Sequence, residues 1–229
     1  MNISLTVSNN FDDLDEQLES SALPDVAPKI TILFDVDGTL IDTIGKYSRV
    51  DDRRLNYRAI PGGVSALKDI SEEYLLGVLT SRSDDEAYVV HYTNREYRCA
   101  LERSLDDAGY ENLFKVILGH GKQNPYPKPD PRNFKSANKL VKKCGGSLDD
   151  AIYVGDSIED LRLVQSAKKY NYNINFIGVL SGFTKSEDFV EHGCPVENII
   201  PSIAHLQEYL EQRKILSQPK ENIVKNYDI

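Results

Sequence analysis

Two aspartates one residue apart follow an apolar run near the start of the sequence. The stretch ITILFDVDGT places Asp35 and Asp37 directly after Ile, Leu and Phe residues, with Gly38 and Thr39 next. Carboxylates this close repel each other, so the end of a strand gains no stability from the pair. Carboxylate oxygens are hard ligands suited to Mg²⁺, and a carboxylate can attack phosphorus to form an acyl-phosphate. The pair indicates metal-assisted phosphoryl chemistry, although Asp and Gly also suit an ordinary turn.

Three later segments also place polar residues at predicted strand ends or before a helix. Thr80 ends the run YLLGVLT, Lys128 lies in PKPDP, and GDSIED contains Asp156 and Asp160. Each has an ordinary explanation: a structural threonine, a solvated lysine, or acidic residues in the first turn of a helix capped by serine. Ligands of open α/β sheets bind beyond the carboxyl ends of the strands. The joint occurrence of these residues, in this order, therefore favours one functional site.

The elements that must position these residues follow from two alternating sequence patterns. Short, nearly continuous apolar runs are typical of strands covered on both faces of a parallel sheet. They are ITILFD, YLLGVLT, KVILG, AIYVGD and INFIGVL. Segments of helical period lie between them, among them PRNFKSANKLVKKC and SIEDLRLVQSAKKY. The alternation predicts a doubly wound α/β fold with right-handed crossovers.

A long segment of helical period, 84–108, lies between the predicted strands YLLGVLT and KVILG. Leu101, Leu105 and other apolar residues recur there at three- and four-residue steps, and Gly109 follows as a C′ residue. The spacing predicts a helix longer than is usual at such a place. It could form a partner surface or a lid.

A chain of 229 residues favours one core domain with an insertion or flexible ends. We predict a flexible leader over 1–27 and a catalytic core over 28–216. A short cap or flap insertion is expected at 42–60. A polar tail at 217–229 would follow a final helix near Ile203–Ile215.

Composition excludes several classes of protein. No apolar run approaches the roughly 18 residues that span a bilayer, and the N-terminus lacks the layout of a signal peptide. We therefore expect a cytoplasmic protein without a membrane partner. Three separated cysteines without a CxxC pair indicate neither a disulfide framework nor a zinc site. A net charge of −9 disfavours nucleic acid as a partner, whereas a homo-oligomer stays possible.

Four of these segments resemble the motifs of a known superfamily. FDVDGTL, LT at 79–80, PKPDP and YVGDSIEDL are similar, in this order, to the four motifs of the haloacid dehalogenase superfamily, in its phosphoglycolate-phosphatase-like branch. The resemblance covers about 29–210, and the first and fourth motifs together are highly specific. It implies a Rossmann-like three-layer α/β/α sandwich with a mostly parallel sheet. It also implies Mg²⁺-dependent phosphoryl transfer through an aspartyl-phosphate.

The resemblance assigns metal-binding roles to four aspartates. Asp35 and Asp156 would supply carboxylate oxygens to Mg²⁺, and Asp37 its backbone carbonyl. Asp160 would act from the outer shell of the metal or through water. Such oxygen ligands suit this ion, which usually keeps several waters.

The resemblance also assigns the catalytic roles. Asp35 would be the nucleophile, and Asp37 would protonate the leaving oxygen and then activate water as a general base. Thr80, Lys128 and the amide of Ser81 would hold the phosphoryl oxygens. In this superfamily the second aspartate favours phosphate esters over haloacids.

The insertion at 42–60 is too short for the helical cap that many relatives carry, so we expect an open site unless another subunit covers it. Arg53 and Arg54 in this insertion, and Arg82 after the second motif, are predicted to bind a second phosphate or carboxylate of the substrate. The ordinary alternative for the insertion is a solvated loop whose charges partly cancel.

The leading hypothesis is a Mg²⁺-dependent phosphatase of a small phosphorylated metabolite or a nucleotide. One alternative is a phosphotransferase or mutase, which must exclude water and so fits a small cap poorly. A second is a phosphatase of a larger substrate, such as a polymer end or a phosphoprotein. A third is a non-catalytic binding protein on the same scaffold.

Overall fold

The structure is a computed structural model. It describes residues 27–42, 58–83, 89–90, 95–96 and 100–217. The leader up to residue 26, most of the cap at 42–60 and the tail beyond residue 217 lie outside these ranges, so those domain boundaries stay predictions. Arg53 and Arg54 also lie outside the described residues.

Strands and helices alternate along most of the described chain. In chain order the elements are β1 (Lys29–Phe34), α1 (Gly63–Ile70), β2 (Leu75–Ser83), β3 (Val89–Val90), β4 (Arg95–Glu96), α2 (Ala100–Asp107), β5 (Val116–His120), α3 (Arg132–Lys143), β6 (Gly146–Gly155), α4 (Ile158–Ala167), β7 (Ile174–Val179), α5 (Ser186–Glu191), β8 (Ile199–Ile200) and α6 (Leu206–Ser217). Short 3₁₀ turns follow α4 and precede β8 and α6.

Six strands form one parallel sheet in the order β5-β2-β1-β6-β7-β8. The five apolar runs of the sequence are β1, β2, β5, β6 and β7. The sixth strand, β8, is a two-residue addition at the edge. The centre of the sheet consists of β2, β1 and β6, and these are the strands that precede the first, second and fourth motifs.

Helices cover both faces of the sheet. In β1, Ile32 and Phe34 belong to the core on one face and Leu33 to the core on the other, as the two-residue period of a strand requires. Residues of α1, α2 and α6 pack into the first core, and residues of α3, α4 and α5 into the second. This three-layer α/β/α arrangement confirms the predicted Rossmann-like fold class.

The segment 84–108 differs from its prediction. A helix over the whole segment is wrong, because Val89–Val90 and Arg95–Glu96 pair as antiparallel strands and α2 begins only at Ala100. The local sequence YVVHYT is rich in β-branched and aromatic residues, whose strand preference outweighs the helical spacing. Gly109 does end the helix as predicted, with φ +91° and hydrogen bonds that make a Schellman motif.

None of the helices in the described ranges has both the length and the apolar character required to cross a bilayer.

Candidate active site

Adjacent strand ends bring the first and fourth motifs together. Phe34 of β1 is in register with Val154 of β6, and the backbone N–H of Asp35 donates to the Val154 carbonyl at 2.9 Å. Asp156 directly follows Gly155, the last residue of β6, so the chain places it beside Asp35. On the other side of β1, Thr80 near the end of β2 is 3% exposed, and its side chain acts to lower the pKa of Asp35.

Three buried carboxylates converge at this edge of the sheet. Asp35, Asp156 and Asp160 each offer an oxygen, and the three oxygens lie within 4.8 Å of one another. The residues are 8%, 8% and 1% exposed. Burying several like charges costs free energy unless cations balance them, so this acidic cluster requires positive charge.

Lys128 supplies part of that charge. The loop before α3 carries its ammonium group into the cluster, where Nζ donates to Oδ1 of Asp35 and to Oδ1 of Asp160, both at 2.6 Å. The Lys128 side chain is 3% exposed. The sequence predicted that this lysine lies at the site, and the structure places it between two of the acidic residues. One ammonium group facing three carboxylates leaves the cluster with excess negative charge.

The pKa values reflect this excess. Burial raises the pKa of Asp35 to about 6, with Lys128 opposing the shift and Asp160 adding to it. Burial also raises the pKa of Asp156 to about 7, assisted by the charges of Asp35 and Asp160. For Lys128, burial favours a lower pKa, but Asp160 and Asp35 outweigh it and raise the pKa well above its usual value. The cluster therefore favours binding of a further cation.

Asp160 has a structural role as well as a place in the cluster. Its Oδ2 accepts hydrogen bonds from the hydroxyl of Ser157 at 2.6 Å and from the Ser157 backbone at 3.2 Å, which forms a capping box at the start of α4. Its Oδ1 accepts from Lys128. The ordinary explanation of this aspartate, a helix cap, thus holds together with the functional one. Because protein donors engage both oxygens, Asp160 is suited to orient its neighbours.

Two glycines lie against Asp156. Gly38 has φ +76°, and a Cβ on it would lie 2.4 Å from Oδ2 of Asp156. A Cβ on Gly182 would lie 1.6 Å from the same oxygen. The hydroxyl of Ser181 donates to the carbonyl of Gly38 at 2.6 Å, which ties the loop after β7 to the loop after β1. Our sequence analysis missed Ser181 and Gly182, although they follow the predicted strand INFIGVL at its carboxyl end.

Tyr153 is a third residue of the site that was not predicted from the sequence. Its hydroxyl lies 2.7 Å from the Leu79 carbonyl and 3.2 Å from Oδ1 of Asp160. The Nζ of Lys128 lies 5.2 Å from the centre of its ring. A buried tyrosine needs a partner for its hydroxyl, and the position of Tyr153 in the apolar run AIYVGD is the signal in the sequence.

Asp37 lies nearer the surface and is held by arginine. The Arg82 guanidinium donates from Nε to Oδ2 of Asp37 at 2.6 Å and from Nη2 to Oδ1 at 2.5 Å. Its Nη1 donates to the hydroxyl of Ser104 on α2 at 3.3 Å. The structure thus places Arg82 at the site, but its guanidinium binds the carboxylate of Asp37. Ser81, beside it, is exposed, and Ser104 was not found from the sequence.

The side chains present suit a magnesium ion. Oxygen donors from Asp35 and Asp156, in a buried pocket with excess negative charge, are the ligands that hard divalent cations prefer. The hydroxyl of Thr39 donates to Oδ1 of Asp156 in a long hydrogen bond of 3.4 Å. Gly38 and Gly182 have no Cβ atoms that would collide with Oδ2 of Asp156, so this oxygen has room beside the two loops. Asp35 and Asp156 are the residues that would hold the ion.

A family model described as haloacid dehalogenase-like hydrolase matches residues 44–179, more than half of the chain. The chain belongs to this family. The matched range includes the second, third and fourth motifs, and the first motif lies before it.

Solved structures share the fold of this hydrolase at low sequence identity. A haloacid dehalogenase-like hydrolase from Bacteroides fragilis is 20% identical with a TM-score of 0.55, over 78% of this chain and 99% of the other. A D,D-heptose 1,7-bisphosphate phosphatase from B. bronchiseptica, complexed with magnesium and phosphate, is 18% identical with a TM-score of 0.52, over 80% and 99%. A 2-haloacid dehalogenase from Pseudomonas syringae is 15% identical with a TM-score of 0.54, over 81% and 99%.

These similarities show the fold of the hydrolase and do not choose between phosphatase and dehalogenase. A comparison with curated proteins found no match. The choice between the two reactions therefore depends on the residues of the site.

Proposed function

We propose that this hydrolase is a Mg²⁺-dependent phosphatase. Its substrate would be the phosphomonoester of a small metabolite or a nucleotide, cleaved through an aspartyl-phosphate on Asp35. The observation that carries the proposal is the buried cluster of Asp35, Asp156 and Asp160 with Lys128 between two of its members.

The electrostatics of the cluster favour a phosphate ester over a neutral substrate. A phosphate dianion can approach the Asp35 carboxylate only where cations offset the repulsion between them. Lys128 donates to Asp35, where its positive charge would offset part of this repulsion, and the Thr80 side chain also favours the charged form of Asp35. Bound Mg²⁺ would supply the remaining positive charge and polarise the phosphoryl oxygens.

The reaction requires two displacements at phosphorus. An Asp35 oxygen attacks, the ester P–O bond breaks, and the leaving oxygen takes a proton from Asp37. Asp37 then accepts a proton from water, and that water breaks the bond between phosphorus and the Asp35 oxygen. Inorganic phosphate leaves and both aspartates return to their starting forms.

Asp37 favours a phosphatase over a dehalogenase. A halide leaves without needing a proton, whereas an alkoxide is a poor leaving group unless it is protonated. Asp37 follows Asp35 by two residues, and its side chain is 43% exposed, so a leaving group can reach it from solvent. This supports phosphate esters as the substrate class.

The test is phosphate release from a panel of phosphoglycolate, nucleoside monophosphates, sugar phosphates, pyrophosphate and a phosphopeptide, with a 2-haloacid alongside. We expect release from at least one phosphomonoester, loss of turnover by several orders of magnitude in Asp35→Asn, and loss in excess chelator. Asp69→Asn, an exposed aspartate on α1, is the matched control and should keep full activity. Undiminished turnover in excess EDTA, or halide release without phosphate release, would overturn the proposal.

A further inference from the structure

The bidentate contact between Arg82 and Asp37 occupies the group that the proposed reaction needs. Both oxygens of Asp37 accept hydrogen bonds from the guanidinium. A carboxyl oxygen that hands a proton to the leaving group must donate, so at least one of these two bonds has to break during the first step. Something in the complex with substrate must then take over the freed N–H groups of Arg82.

The pair is placed so that a ligand can reach it. The side chains of Arg82 and Asp37 are 20% and 43% exposed, whereas those of Lys128 and Asp35 are 3% and 11% exposed. Solvent reaches the Asp37 carboxylate, so a second anion can approach the ion pair and water screens the charges during an exchange of partners. A well-placed anion on the substrate can therefore compete with Asp37 for the guanidinium.

Ser104 anchors the other side of the guanidinium. Its hydroxyl accepts from Nη1 of Arg82 at 3.3 Å and donates to the Leu101 carbonyl at 2.8 Å, and the residue is 1% exposed on α2. This contact does not involve Asp37 and so can persist when Nε and Nη2 change partners. The planar fork of arginine fits carboxylate and phosphate groups equally well.

We propose that Arg82 exchanges partners: it holds Asp37 when no substrate is bound and a second anionic group of the substrate during turnover. This deepens the phosphatase function proposed above and depends on it. The substrate class is then a phosphomonoester that carries a further phosphate or a carboxylate close to the scissile phosphate. Binding of that second group frees Asp37 for the leaving oxygen, so recognition and acid catalysis are linked through one side chain.

The experiment compares substrates that differ only in the second group. One pair is 2-phosphoglycolate and its amide, and another is 1,3-propanediol bisphosphate and 3-hydroxypropyl phosphate. In the unmodified protein we expect kcat/KM to be about 10- to 100-fold higher for the anionic member of at least one pair, the range for a charged hydrogen bond. Arg82→Gln should remove that preference mainly through KM, and Arg82→Lys should keep part of it. Arg162→Gln, at an exposed arginine on α4, is the matched control and should keep all of it.

Two results would overturn the proposal. One is equal kcat/KM for both members of every pair in the unmodified protein, and the other is a preference that survives in Arg82→Gln. A merely structural role of Arg82 would lower the rates on both members alike and leave their ratio unchanged.

A binding measurement separates this proposal from the phosphatase function. Calorimetry on Asp35→Asn, which leaves Arg82 and Asp37 in place, compares the affinities of the two members without turnover. Tighter binding of the anionic member that is lost in Asp35→Asn/Arg82→Gln supports the exchange, and equal binding overturns it. Absence of phosphate release from every ester would instead count against the phosphatase function.

Discussion

Lys128 shows most directly how one residue stabilises the acidic cluster. Its ammonium group lies 2.6 Å from oxygens of both Asp35 and Asp160, in a place where its side chain is 3% exposed. Without this ammonium group, three buried carboxylates would face one another with no neighbouring positive charge from β1, α3 or α4. Lys128 therefore contributes to folding as well as to the proposed binding of phosphate.

We predict that Lys128→Met lowers the free energy of unfolding by about 3 kcal/mol, because it leaves buried charges without a partner. Urea unfolding in the absence of divalent cations measures this change. The matched control is Lys214→Met, which breaks the exposed pair with Glu73 at 2.5 Å and should cost less than about 1 kcal/mol. Equal costs for the two variants would show that the buried charge balance is unimportant. Added Mg²⁺ should restore part of the loss in Lys128→Met.

At the scale of elements, the loops after β1 and β7 shape the space around Asp156. Gly38 and Gly145 have the same φ, +76°, but a Cβ on Gly145 meets nothing within 4 Å, whereas a Cβ on Gly38 would lie 2.4 Å from Oδ2 of Asp156. The two glycines therefore share the same backbone strain on substitution, about 1 kcal/mol, and differ only in the collision.

We predict that Gly38→Ala weakens Mg²⁺ binding at least about ten-fold, since Asp156 must move by more than the tolerance of a bound ion. Gly145→Ala should lower stability by about as much as the backbone strain in Gly38→Ala does, and it should leave the affinity for Mg²⁺ unchanged. Calorimetric titration of both variants with Mg²⁺ provides the comparison. The same affinity in both variants would contradict the assignment of Asp156 as a ligand.

Sequence patterns predict best the features that depend on neighbouring residues, such as strands and the polar residues at their ends. The apolar runs located β1 and β6, and the strand-end rule brought Asp35, Thr80 and Asp156 together, because parallel strands end at one edge. The strand β8 was missed because two residues are too few to show the apolar pattern of a strand. Tyr153, Ser104 and the Ser181–Gly182 loop were also missed, because the groups that they contact come from distant parts of the chain.

The raised pKa values of Asp35 and Asp156 link the stability of the folded protein to pH. The ordinary pKa of both Asp35 and Asp156 is 3.8, and in the folded protein the values are about 6 and about 7. Between about pH 4 and pH 7 the native state therefore binds protons that the unfolded state has released. Stability from these two groups is present at low pH and is lost as pH rises through this window. A divalent cation bound by Asp35 and Asp156, as proposed above, would compete with those protons and reverse the loss.

We predict that saturating Mg²⁺ raises the melting temperature clearly at pH 8 and by much less at pH 5, where Asp35 and Asp156 are mostly protonated. Thermal melts with and without Mg²⁺ at the two pH values measure the difference. Asp156→Asn should abolish the increase at both. An increase of equal size at pH 5 and pH 8 in the unmodified protein would contradict these pKa values.

The central pairing of β1 with β6 has a consequence for synthesis. Thr39 and Asp156 are 117 residues apart in the sequence and form a hydrogen bond in the fold. During translation, β1 is therefore synthesised well before its neighbour β6. Until then one edge of this mostly apolar strand stays open to other nascent chains. We expect translation arrest between β2 and β6 to give aggregation-prone fragments, and chaperone demand to fall once residue 155 has left the exit tunnel.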